Sequence, residues 1–77
     1  MKNTIRDFLL EHITDYDLQD GDDFFALGLV SSLFVMELIS FVEMEFDISI
    51  EGDDLNFDNF RSINAITNLV TRKTAVA

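Results

Sequence analysis

The sequence predicts an all-α fold: a small four-helix bundle of three main helices and a short third one. Three observations carry this reading. The sixteen residues from Ser31 to Phe46 contain neither glycine nor proline and are apolar over most of a helical circumference. Segments near both chain ends repeat their apolar residues at three- and four-residue spacing. The one stretch with strand character, Phe24 to Val30, finds no second strand to pair with, and an isolated strand leaves its backbone groups unsatisfied.

Taken in order, the first helix is expected over about residues 3–13, where Ile5, Phe8, Leu9 and Ile13 share one face. Asn3 or Thr4 can cap its start, and Asp7 suits its early turns. A long connection follows over residues 14–30, polar as far as Asp23 and strongly apolar from Phe24 to Val30, the pattern of a loop packed across a core. The second and central helix is expected over about 32–46, with Ser31 or Ser32 at its cap. Its polar positions Glu37, Ser40 and Glu43, continued by Asp47, mark one narrow exposed stripe. After a second loop, Asn56 to Phe60 reads as a short helical turn with two aromatic anchors, so the third helix is placed at about 56–61. Ser62 can cap the fourth, at about 62–73, in which Ile63, Ile66, Leu69 and Val70 form the buried face and Arg72 and Lys73 suit the C-terminal dipole. Thr74 to Ala77 are expected to fray.

The chain has 77 residues, enough for a single domain with one modest core. Cysteine is absent, which removes disulfides, thiolate metal sites and cysteine nucleophiles. No apolar run reaches the roughly 18 residues that span a bilayer, and the N-terminus lacks a signal-peptide pattern, so a soluble cytoplasmic monomer is expected. Fifteen acidic residues against five basic ones give a net charge of -10. That balance argues against nucleic acid and anionic membrane surfaces and suits either a divalent cation or protein partners with basic patches, whose approach the charge would steer.

Enzymatic readings fail for want of parts. A serine nucleophile needs a base, and His12 is the only histidine; it has no cysteine or second histidine in metal-ligand spacing. Gly28 stands without the glycines and lysine of a phosphate-cradling loop. One metal pattern competes: Asp47, Ser49, Glu51 and Asp58 fall at EF-hand ligand positions with Gly52 at the turn, although the last ligand is Asp rather than Glu. This gives a rival reading as a small acidic calcium-binding or interaction module. The remaining feature is the serine opening the central helix, where a hydroxyl lies beside a positive helix end that favours phosphate. It reads either as a plain cap or as an attachment point.

The run Phe24-Phe25-Ala26-Leu27-Gly28-Leu29-Val30-Ser31-Ser32-Leu33, followed by Val35, Met36, Glu37, Leu38 and Phe46, resembles the phosphopantetheine-binding acyl and peptidyl carrier proteins. The likeness covers nearly the whole chain, including the long first loop, the short third helix and the acidic end Glu43-Met44-Glu45-Phe46. It implies an acyl-carrier-like four-helix bundle with a covalent 4'-phosphopantetheine arm on Ser32, the residue before Leu33. Ser31 fills the place the family usually gives to Asp. The extra residue between Gly28 and the serine is similar to D-alanyl carriers and to freestanding carriers of unusual polyketide extender units of the methoxymalonyl type.

The resemblance further implies transport rather than catalysis: acyl or aminoacyl groups held as thioesters on the arm. The partners implied are a phosphopantetheinyl transferase, a separate loading enzyme, and downstream synthases of polyketide, nonribosomal peptide or fatty acid assembly. Leu33, Glu37, Ser40 and Met44, flanked by Phe34 and Glu43, are the expected docking residues. Leu38, Phe41 and Val42 are expected in the core, with space for an acyl chain between helices.

Overall fold

The computed structural model describes residues 1–74 and is all-helical, with no strand among them. Its elements are α1 (Lys2–Leu10), α2 (Phe34–Phe46) and α3 (Ile63–Thr74), with two single 3-10 turns, Gly52–Asp54 and Phe57–Asn59, between α2 and α3. The short third helix expected at 56–61 is thus one three-residue turn preceded by another. The expected fraying region begins at Thr74, which is still helical; its remainder lies outside the described residues.

Helix α1 stops at Leu10, three residues before the expected end. His12 and Ile13 N–H both donate back to the Leu9 carbonyl, at 3.0 and 2.8 Å, so the chain turns off there while Ile13 stays buried. Neither Asn3 nor Thr4 caps α1; Met1 occupies the cap position without a side-chain bond. Ser62 does cap α3, accepting from Ala65 N–H at 3.0 Å. Arg72 and Lys73 stand in the last turn of α3, where the carbonyl end of the dipole favours them.

One core joins all the elements. Ile5 and Leu9 of α1, Leu38 and Val42 of α2, and Ile63, Ile66, Leu69 and Val70 of α3 are fully buried in it, together with Leu18, Phe24 and Phe60 from the connections. Each such side chain removed from water contributes about 1.5–3 kcal/mol. α1 packs directly on α3, while aromatic rings join α1 to α2: Phe8 stacks on both Phe41 and Phe34.

The long connection lies across this core, as its apolar second half requires. Phe24 N–H donates to the Arg61 carbonyl at 3.0 Å, and Asn64 N–H to the Asp20 carbonyl at 3.0 Å, which ties both halves of the loop to the start of α3. Arg6 of α1 fixes the same loop through the Leu18 carbonyl, at 2.7 Å, and the Asp20 carboxylate. Within it lies one helical turn that periodicity does not reveal. The Asp23 carboxylate caps it by accepting from Phe25 and Ala26 N–H at 3.1 and 2.9 Å. Gly28, at φ 72°, closes it while Leu29 N–H donates to the Phe24 carbonyl and Gly28 N–H to that of Phe25.

Candidate functional site

The segment leaving Gly28 climbs through half-buried Leu29 and Val30 and enters α2 through a turn at Ser32 and Leu33. Phe34, 7% exposed, pins the far side of that turn into the core. Ser31 and Ser32 are therefore held between two anchored points yet are both exposed.

Neither hydroxyl caps the helix, contrary to the expectation for either serine. The first N–H groups of α2 find backbone partners instead: Phe34 donates to the Ser31 carbonyl at 3.0 Å, Val35 to Ser32 at 3.3 Å and Met36 to Leu33 at 3.2 Å. Leu33, at the cap position, is already in helical conformation, so the chain winds into the helix without an extended residue whose side chain could reach back. This leaves the Ser32 hydroxyl at the positive end of α2, exposed and not recruited by the helix it precedes. Such a hydroxyl has the access a phosphodiester requires.

Around it, α2 presents an exposed apolar row. Leu33 is 79% exposed, Met36 66% and Met44 84%, with Glu37 and Ser40 exposed among them. Met36 belongs to this face although it is not among the expected docking residues. Two expected docking residues do not. Phe34 is buried under α1, its ring 5.8 Å from Phe8 and 4.7 Å from His12. Glu43 is half-buried, and its carboxylate accepts from Ile50 N–H at 2.9 Å, fastening the loop after α2. Glu37 is exposed but is also engaged by the turn that follows α1, with His12 Nε2 3.3 Å from its carboxylate.

Leu38 and Val42 are core, as expected, and Phe41 is half-buried. The space between helices lies elsewhere than these residues suggested. An apolar cleft of about 180 Å³ opens between Val35 and Ile39 of α2 and Leu55, Phe57 and Phe60 of the following segment.

The calcium pattern does not assemble. Asp47 ends α2 in a left-handed conformation at φ 53°, Ser49 lies in irregular chain, Glu51 is extended ahead of the first 3-10 turn, and Asp58 pairs with Arg61 at 3.2 Å. No group of three His, Cys, Asp or Glu side chains among the described residues could hold a metal ion. EF-hand spacing needs the loop to curl around one centre. Here the 3-10 turns and the Asp54–Lys73 pair, at 2.6 Å, carry it along α3 instead. That hydrogen bond from Lys73 holds the Asp54 carboxyl below the usual carboxylate range, outweighing the partial burial that would raise it.

No helix among the described residues is long and apolar enough to cross a membrane. The family model described as phosphopantetheine attachment site matches residues 4–70 of the chain. No curated protein and no solved structure matches it.

Proposed function

The chain belongs to the phosphopantetheine attachment site family, whose domains carry covalent 4'-phosphopantetheine and serve as carriers, and on that premise we propose that Ser32 is its attachment residue. The observation that carries this choice is the exposed Ser32 hydroxyl, free of any capping bond at the entry to α2 and inside the matched span. Ser31 is exposed as well. The register of Leu33, Val35, Met36, Glu37 and Leu38 on the family pattern favours Ser32.

In this reading the arm, once attached, supplies a terminal thiol that holds an acyl or aminoacyl group as a thioester. The chain's own residues do three things. The Gly28-to-Phe34 segment holds the tether point on a fixed base. The absence of cysteine leaves no competing thiol on the protein. The row of Leu33, Met36 and Met44, set among Glu37, Ser40 and the surrounding acidic side chains, offers partner enzymes an apolar centre with negative flanks. Those partners are a phosphopantetheinyl transferase, a loading enzyme and a downstream synthase. The spacing from Gly28 to Ser32 supports a freestanding carrier of the D-alanyl or methoxymalonyl-extender type, acting in polyketide, nonribosomal peptide or fatty acid assembly.

The test is intact-mass analysis after incubation with coenzyme A and a phosphopantetheinyl transferase. A gain of one phosphopantetheine that Ser32→Ala abolishes and Ser31→Ala retains is expected. A gain that survives Ser32→Ala would overturn the assignment of the residue, and no gain in the parent chain would overturn the carrier reading in this form.

A further inference from the structure

Two cavities meet beside the tether point on the side of α2 away from the apolar cleft. One, of about 300 Å³, is bounded by Ser31 and Leu33, the two neighbours of Ser32, and runs past Val30 to His12 and Glu37. The second, of about 270 Å³, continues from His12 and Leu29 to Tyr16 and Gly28. Because both share His12 and Leu29, they form one groove leading from the neighbours of Ser32 past the turn that follows α1 and along the long connection.

His12 at the junction is open to the groove on one side and held on the others. Its ring lies 4.7 Å from that of Phe34 and 5.1 Å from that of Phe8; Nε2 is 3.3 Å from the Glu37 carboxylate, and Nδ1 is 3.3 Å from the Phe8 carbonyl oxygen. The single histidine, for which neither metal nor catalytic chemistry offered a role, is thus a fixed wall of this groove.

We propose that this groove, and not the apolar cleft, is where the phosphopantetheine arm rests on its own protein; this rests on attachment at Ser32. The chemistry of the walls matches that of the arm. A pantetheine chain alternates a dimethyl-bearing carbon and methylenes with a hydroxyl and two amides. Leu29, Val30 and Leu33 offer apolar contact next to the tether, and His12, Glu37 and Tyr16 place polar groups further along. The cleft beyond Val35 and Ile39 is lined almost wholly by apolar side chains and suits no amide chain as well, because a buried amide without a partner costs about 1–3 kcal/mol. His12 and Leu29 act here as positioning residues that hold the arm near the α1 end of the molecule until a partner draws it out.

The experiment is isotope-filtered NMR on uniformly labelled protein that carries an unlabelled arm, after intact mass has shown the modification. Cross-relaxation from the arm's geminal methyl groups to Leu29 methyls and the His12 ring is expected, with chemical-shift changes on modification confined to residues 12–16 and 28–37. In Leu29→Ala or His12→Gln the cross-peaks to the groove are lost while the mass gain is retained. Cross-peaks to Val35, Ile39 or Phe57 instead, or none to the protein, would overturn the resting place and leave attachment standing. Absence of the mass gain would overturn attachment at Ser32, and the resting place with it.

Discussion

The ring of Phe8 in α1 lies 4.1 Å from that of Phe41 in α2 and within 14° of parallel. This stack, extended by Phe34 and His12, joins the first helix to the one that presents Ser32. Neither Phe8 nor Phe41 is fully buried, so each acts as a cover over the α1–α2 seam. Phe41→Ala is expected to cost about 2–3 kcal/mol, below the usual range for a fully buried phenylalanine, because part of the ring already faces water. Urea unfolding followed by circular dichroism measures it. A loss under about 0.5 kcal/mol would show that the stack contributes nothing to the seam.

Phe34 and Met44 separate core from surface on the same helix. Phe34→Ala should destabilise the fold by about 3–4 kcal/mol, since the ring is all but inaccessible and bridges α1. Met44→Ala should leave stability within about 0.5 kcal/mol, because the side chain is almost wholly exposed. In the carrier reading it should still slow modification by the transferase several-fold, through a higher KM rather than a lower kcat. Unchanged transferase kinetics in Met44→Ala would remove it from the docking face.

The contrast between these residues shows what the sequence could reveal. Periodicity located all three long helices, and Ser62 announced the start of α3, because both signals are local. Phe34 reads as a neighbour of the docking stripe because the long apolar arc of α2 does not say which side α1 will cover. That is decided by Phe8 and His12, more than twenty residues away. For the same reason the sequence does not show that Met36 is exposed. The helical turn at Asp23 to Gly28 was legible in principle, from an acidic cap and a closing glycine, but one turn is too short to show a period. Serine before an apolar helix is usually a cap, so the sequence offers that role beside attachment; here the backbone satisfies the Phe34, Val35 and Met36 N–H groups through the Ser31, Ser32 and Leu33 carbonyls.

Gly28 sets the height from which the chain enters the tether segment. Its φ of 72° lies in the left-handed region, and a Cβ there meets nothing within 4 Å. Gly28→Ala is therefore opposed by backbone conformation alone, at about 1–2 kcal/mol. Gly21→Ala is the control: its Cβ would sit 3.8 Å from Asn64 Nδ2, an ordinary contact, with no left-handed φ. It should be neutral or gain a few tenths of a kcal/mol by restricting the unfolded chain. Paired thermal melts measure both, and equal Tm values for the two variants would refute the strain argument.

Asp54 and Lys73 join the first 3-10 turn to the end of α3, with Asn59 donating to the Asp54 carbonyl at 3.0 Å and Arg72 to Asn59 Oδ1 at 3.2 Å. The Asp54 carboxyl is depressed in the folded protein, chiefly by the hydrogen bond from Lys73. A depressed carboxyl binds fewer protons folded than unfolded, so its contribution is complete above the ordinary aspartate range. It is lost as the pH falls below about 4 and on through the folded value. Asp54 should accordingly titrate below the ordinary aspartate range in a carboxyl-detected NMR experiment, and Lys73→Met should move it back towards that range. Because the pair is partly open to solvent, the variant should have only a small effect on stability at neutral pH. The wall of the apolar cleft at Leu55 and Phe57 should become more mobile by hydrogen exchange, since the pair is one of the two ties, with Arg72 to Asn59, that fasten that segment to α3. An Asp54 titration that Lys73→Met leaves in place would assign the depression to the backbone N–H groups of the turn instead of to the lysine.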